Sequence, residues 1–239
     1  MKLGGLQKHT LIDFPGYLAC TVFTVGCNFR CPYCHNPELV LPSYSNKIEN
    51  HIKETDLFSF LETRKGLLDG VVITGGEPCL QPGLIDFCQD IKKMGFKVKL
   101  DTNGTFPLVL ENLIKGQLVD YVAMDIKSNL STYSTAAGKD VDLKAIEKSI
   151  TLIMEQSKEF GVSYEFRTTC VKPFMDKKII KDIGEMIRGS EKYVLQPCNA
   201  STDVLNPDFF QKQDSFFSKK ELFYLKSIAE KYVSKCELR

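Results

Sequence analysis

The chain has 239 residues, 43% hydrophobic and 26% charged, with a formal net charge of +1. That length supports one large domain burying roughly 70–75% of its unfolded surface, and the near-neutral balance argues against wholesale binding to nucleic acid or an anionic membrane. No apolar run reaches the ~18 residues of a membrane span, and the Met-Lys-Leu-Gly-Gly start has no apolar signal core, so a cytoplasmic protein is expected, with neither nucleic acid nor membrane as partner.

Residues 1–17 read as loop or short hairpin ending in Pro15-Gly16. The apolar, β-branched run 18–25 predicts a first strand. It leads directly into Gly26-Cys27-Asn28-Phe29-Arg30-Cys31-Pro32-Tyr33-Cys34-His35-Asn36. Residues 37–50 read as irregular. A helix is expected from Thr55 or Asp56 to before Gly66. Residues 71–74 form a short continuous apolar run, as buried parallel strands do, and Gly75-Gly76-Glu77-Pro78 follows. Leu84, Cys88 and Ile91 recur at helical spacing, with Gly95 as a stop. In 96–100, Phe96, Val98 and Leu100 alternate with Lys97 and Lys99. This predicts a strand whose lysine stems snorkel past a neighbouring helix. Asp101-Thr102-Asn103-Gly104 closes it.

Residues 121–124 predict a fourth strand, running into Asp125-Ile126-Lys127. Leu143, Ile146, Ile150 and Ile153 form a helical stripe ended by Gly161. Residues 163–168, with Arg167 inside, are the fifth strand. Asp176 is positioned to cap a helix carrying Ile179, Ile180, Ile183 and Ile187. Residues 193–196 are the sixth strand, 199–218 are the least regular stretch, and Ser218-Lys219-Lys220-Glu221 is a capping-box signature opening a last helix. No linker or repeat divides the chain. It reads as a single domain over 1–239, with a core of about 17–200 and a helical extension of about 201–239. Strands alternating with helices predict a parallel sheet with right-handed crossovers. Each polar cluster follows a strand, where such sheets keep their chemistry.

The densest chemistry is the C-x3-C-x2-C run. Three thiolates can hold three irons of a cubane cluster and leave the fourth open to a ligand. A Cys3His zinc site is the rival, but His35 directly follows Cys34 and is a poor fourth ligand, because zinc frameworks space their ligand pairs apart. The other six cysteines make no C-x-x-C pair, and nine is an odd number for a disulfide framework. Glu77 follows two glycines at a strand end. There a ligand can approach the backbone, and the carboxylate can accept hydrogen bonds from an ammonium group. Asp101, Thr102 and Asp125 offer oxygens to a hard cation, and Lys127 a partner for a carboxylate; a ring of strand-end salt bridges is the structural alternative. Arg167 inside an apolar strand is costly unless paired. Cys79 reads as a small buried thiol, and His9 and His51 as surface residues.

The cysteine run, with Tyr33 before its third cysteine, resembles the cluster loop of radical S-adenosylmethionine (SAM) enzymes. The continuation His35-Asn36-Pro37 and the lead-in Leu11-Ile12-Asp13-Phe14-Pro15-Gly16 are similar to those of glycyl-radical-enzyme activases, above all the activating proteins of anaerobic ribonucleoside-triphosphate reductase. The resemblance implies an α/β radical SAM fold, a partial (β/α)6 TIM-like barrel. It implies one 4Fe-4S cluster on Cys27, Cys31 and Cys34, whose open iron takes SAM. Tyr33, His35, Gly75, Gly76, Glu77, Asp101, Thr102, Asp125, Lys127 and Arg167 would contact SAM, with Glu77 at its amino group and Arg167 near its carboxylate. Asp101, Thr102 and Asp125 would cage a monovalent cation. The implied activity is that of an oxidoreductase: an external one-electron donor such as flavodoxin or ferredoxin reduces the cluster, SAM is cleaved, and hydrogen is abstracted from a glycine of a partner, anaerobic ribonucleotide reductase. Asp13 and His35 would hold the glycine-bearing loop. The chain departs from formate-lyase activases after the sixth strand, where it has Gln196-Pro197-Cys198 in place of a histidine. Two other functions fit the same residues: a small-molecule radical SAM enzyme like 7-carboxy-7-deazaguanine synthase, and a zinc-dependent interaction module.

Overall fold

The computed structural model describes residues 1–41, 51–199, 204–211 and 214–239. Eight strands pair in chain order into one sheet: β1 Leu3–Thr10, β2 Ala19–Thr24, β3 Gly70–Gly75, β4 Lys97–Thr102, β5 Tyr121–Asp125, β6 Ser163–Cys170, β7 Lys192–Pro197 and β8 Lys235–Leu238. β1 runs antiparallel to β2, and every later pair is parallel. Crossovers that always step the same way wind such a sheet toward a barrel. Among the described residues no pairing joins β1 to β8. The result is the expected α/β partial TIM-like barrel.

The six expected strands are β2 to β7. The stretch read as loop or hairpin contains a full edge strand, β1. The tail read as a helical extension holds the helix Lys219–Ala229 and then β8, which joins the sheet beside β7. The capping box is present: Glu221 N donates to Ser218 Oγ, and Ser218 N donates to Glu221 Oε2 at 2.7 Å. The first long helix is Glu54–Glu62, a residue or two ahead of its expected start. A single turn, Pro37–Val40, begins the stretch read as irregular, and residues 42–50 lie outside the described residues. Asp208–Gln211 is a short helix within 199–218, of which 200–203 and 212–213 are likewise outside.

Alternate residues of each strand face opposite ways. Val22, Ile73, Leu100, Val122 and Phe166 point outward and pack with Phe87, Ile91, Leu113 and Ile153 of the covering helices in the main core. The inner face carries a separate, small apolar cluster of Phe14, Ala19, Val72, Tyr121 and Ala123. Lys99 is in register with Val72 and Tyr121, so it also faces inward. This corrects the expectation that the β4 lysines run past a helix. Val98 and Leu100 meet the helices, whereas Lys99, 1% exposed, lies inside the barrel, paired with Asp101. Its neighbour on β6, Glu165, is fully buried and accepts two bonds of 2.9 Å from the Arg239 guanidinium and one of 2.9 Å from Tyr121 Oη. The barrel interior is therefore charged, and Asp101 and Glu165 are held there by cationic partners, as low-dielectric burial requires. Among the described residues no helix is long and apolar enough to cross a membrane.

Candidate active site

A cavity of about 270 Å³ lies at the C-terminal ends of β2 to β7. Cys27, Cys31, Tyr33, Cys34 and His35 enter it from the loop after β2. Gly75, Gly76 and Glu77 enter from the end of β3, Asp101 and Thr102 from β4, Asp125 and Lys127 from β5, and Arg167 from β6. The strand-end positions expected from the sequence thus converge. Asp13 does not line the cavity. It sits by the start of β2, where its Oδ2 accepts from Thr21 Oγ1 at 3.0 Å.

The cysteine loop is clamped from all sides. Arg30 Nη1 donates to the carbonyls of Cys27 (2.7 Å) and Phe29 (2.6 Å), folding the loop round its own guanidinium. Glu77 N donates to Gly26 O at 2.8 Å and Gly76 N to Thr24 O at 2.9 Å. A Cβ on Gly76 would stand 2.1 Å from Gly26 O, so only glycine permits this crossing of two backbones. Arg30 N donates to Ala137 O at 2.7 Å, while Leu205 N and Asn206 N donate to the carbonyls of Cys34 and Pro32, each at 3.0 Å. The three cysteines are free thiols. Burial pushes Cys27 up to about 12 and Cys31 up to about 11, with Lys127 opposing the rise at Cys31. Metal coordination is what would make thiolates of them. Among the described residues no three His, Cys, Asp or Glu side chains converge on a single-ion site. Three thiols on one short loop line one cavity, and such a set, once deprotonated, can ligate a metal cluster.

Glu77, 1% exposed, accepts from Cys79 N (2.9 Å) and Thr102 Oγ1 (2.8 Å) at Oε1 and from Asn103 N (2.7 Å) at Oε2. Burial holds its pKa above the ordinary value, against those donors. One lone pair of Oε2 remains for a ligand in the cavity. Asn103 Nδ2 also donates to Asn28 Oδ1 at 2.8 Å, tying the end of β4 to the cysteine loop.

Beyond Glu77 runs a chain of alternating charge. Lys99 pairs with Asp101 Oδ1. Asp101 Oδ2 meets Arg167 Nη1 at 2.9 Å, Arg167 Nε meets Asp125 Oδ1 at 2.9 Å, and Asp125 Oδ2 meets Lys127 Nζ at 3.0 Å. Burial works against both carboxylates' charge, but Arg167 and its companion lysines prevail. Asp101 is held below its ordinary range and Asp125 down to about 2. Burial pulls Lys99 below its ordinary value, with Asp101 opposing. The monovalent-cation cage expected of Asp101, Thr102 and Asp125 does not fit this arrangement. The two carboxylates are bridged by Arg167, and Thr102, adjacent to Asp101 in β4, faces the other way toward Glu77.

Several lining or supporting residues were not singled out by motif. Asn103 and Thr169 line the cavity with Gln196, the residue that follows the sixth strand's apolar run. Asn103 belongs to the quoted Asp-Thr-Asn-Gly turn and could have been read from it; Arg30 and Asn28 carried no such signal beyond their place between cysteines. Cys198 Sγ stands 3.5 Å from His35 Nε2. The Tyr33 hydroxyl is buried and makes no hydrogen bond among the described residues.

A parallel barrel with a three-cysteine loop after its first parallel strand and a glycine-flanked glutamate after the next defines a class. The profile of the Radical SAM superfamily matches residues 21–171, and the chain belongs to that superfamily. Within it, the chain is a radical SAM enzyme of the glycyl-radical-enzyme activating group. It is 34% identical over 238 residues, 99% of this chain and 95% of the other, to a Methanocaldococcus jannaschii protein whose name places it among glycyl-radical enzyme activating enzymes. It is 30% identical over 250 residues, 96% of this chain and 98% of the other, to the pyruvate formate-lyase-activating enzyme of Clostridium pasteurianum. In fold it is similar to a radical SAM methyltransferase from Sphaerobacter thermophilus, with a TM-score of 0.66 and 15% identity over 95% of this chain and 67% of the other.

Proposed function

We propose that Cys27, Cys31 and Cys34 hold a 4Fe-4S cluster whose fourth iron binds SAM, and that the protein forms a glycyl radical on an anaerobic ribonucleotide reductase. The observation that carries this is the convergence of three unpaired thiols from one loop on the cavity that also contains Glu77, Lys127 and Arg167. When bound, the reduced cluster would supply the one-electron chemistry that splits methionine from SAM and leads to removal of a hydrogen atom from the partner's glycine. Flavodoxin or ferredoxin is the proposed electron donor.

The chain's own residues bind and orient. Glu77 Oε2 offers its remaining lone pair to the amino group of SAM. Arg167 and Lys127 give the far wall a positive edge, which receives the carboxylate. Gly75 and Gly76 line the cavity, and their missing Cβ atoms let the β3 end lie against the Thr24 and Gly26 backbones, which sets Glu77 beside the cysteine loop. Tyr33, His35, Asp101, Thr102 and Asp125 complete the wall. His35 and Asp13 are proposed to hold the backbone of the partner's glycine loop.

Anaerobic reconstitution is expected to yield about four irons and four sulfides per chain. Cys31→Ala should lose them, and Cys88→Ala, in the outer core, should keep them. Offered an anaerobic ribonucleotide reductase and a reductant, the loaded protein should release methionine and raise a glycyl-radical EPR signal on the partner. Zinc without sulfide would point to an interaction module instead. SAM cleavage that marks no glycyl-radical enzyme would move the small-molecule reading ahead.

A further inference from the structure

The charge chain at the inner end of the cavity contains a cation that the carboxylates do not share with solvent. Asp101 and Asp125 together carry two negative charges. Lys99, Arg167 and Lys127 carry three positive ones, so the chain is net positive by one. Every oxygen of the two carboxylates already faces one of these cations. Lys99 is the member farthest inside: 1% exposed, on the inner face of β4, above the Tyr121 ring at 5.9 Å and within the same interior as the buried Glu165. A lysine at that depth brings a fixed charge to the one Asp101 oxygen that Arg167 leaves free.

We infer that the Lys99 ammonium is the resident cation of this site, taking the place of an exchangeable alkali ion at Asp101 and leaving the Arg167–Lys127 edge net positive for the carboxylate of SAM. This rests on the proposed SAM-binding role of the cavity. An alkali ion added at Asp101 would have to displace Lys99 or stand beside it and Arg167, and like charges in a low-dielectric interior repel strongly. Lys99 does not line the cavity. It acts through Asp101 and is a positioning residue.

The test compares salts. Cluster-reconstituted protein is titrated with KCl and with NaCl in a tetramethylammonium chloride buffer, first alone, followed calorimetrically. SAM affinity is then measured in each of the three salts at equal ionic strength. The wild type is expected to show no saturable alkali binding, and SAM dissociation constants that agree within about twofold across salts. Lys99→Met removes the fixed charge and keeps the bulk. It should bind K⁺ or Na⁺ saturably and gain roughly tenfold in SAM affinity when alkali replaces tetramethylammonium. A variant that lacks only packing would lose SAM affinity equally in every salt. Saturable alkali binding by the wild type, or alkali-dependent SAM affinity in it, would overturn the inference whether or not Lys99→Met folds. If the wild type binds SAM in no salt, the SAM reading fails, and the alkali titration of the protein alone still decides the place of Lys99.

Discussion

The two carboxylates of the charge chain show how single residues divide the work. Asp125 is anchored by Arg167 on one oxygen and Lys127 on the other, and these hold its pKa at about 2, against an ordinary 3.8. A depressed carboxyl contributes stability that is present above its unfolded value and is lost as pH falls through its folded value. Asp125 therefore adds roughly 2 kcal/mol at neutral pH, fading between about pH 4 and pH 2. The stability gap between wild type and Asp125→Asn, taken from urea midpoints, should be constant from pH 7 to 5 and narrow as the pH falls below 4. A gap that does not depend on pH would mean that packing, not charge, keeps Asp125 in place. Thr102 teaches the complementary lesson. It neighbours Asp101 in sequence, but strand alternation turns it to the opposite face, so it serves Glu77 and not Asp101.

At the scale of elements, the loop after β2 is shaped by what crosses it. Gly76→Ala should be among the most damaging small substitutions, because the new methyl meets the Gly26 carbonyl and no flexible side chain can move aside. An overpacked site typically costs roughly 1–3 kcal/mol, read as a lower urea midpoint, with poorer iron uptake on reconstitution. A stable Gly76→Ala protein with full iron would show that the two backbones can part. The six interior strands were legible because their outward residues are apolar at period two or in continuous runs, and the site was legible because each strand ended in a polar cluster. β1 and β8 were not. Leu3–Thr10 is diluted by Gly4, Gly5, Gln7 and Lys8, and Lys235–Leu238 is half charged. Both are edge strands, and of the two β8 charges Lys235 is exposed while Glu237 turns to Lys192 at 3.0 Å, beside the buried Glu165. An inner face built of ion pairs reads, in sequence, like a surface. For the same reason Lys99 looked like a lysine that must escape, when its partner lay two residues ahead.

For the molecule as a whole, the open side of the barrel is where a macromolecular substrate has room. Leu11 and Ile12, 78% and 76% exposed, stand beside Asp13 on the connection between β1 and β2. If the partner also engages this end of β2, away from the cavity, Asp13→Ala should retain SAM binding and slow partner-free cleavage but lose glycyl-radical formation, through a higher apparent KM for the partner, a lower kcat, or both. Methionine release scored beside the glycyl-radical EPR signal separates the two. Radical formation at the wild-type rate would exclude Asp13 from docking.

Pairing in chain order also sets an assembly sequence. Each parallel strand, as it leaves the ribosome, finds its partner in the strand made just before it, so the sheet can grow from one end, one helical crossover at a time. The cysteine loop obeys a different clock. It is synthesised within the first 34 residues, but its clamps arrive one by one: Glu77, then Asn103, then Ala137, and finally Leu205 and Asn206. The three thiols are thus made early and enclosed last. The loop takes its final shape only when nearly the whole chain has been made, and until then its sulfurs remain within reach of whatever delivers iron and sulfide.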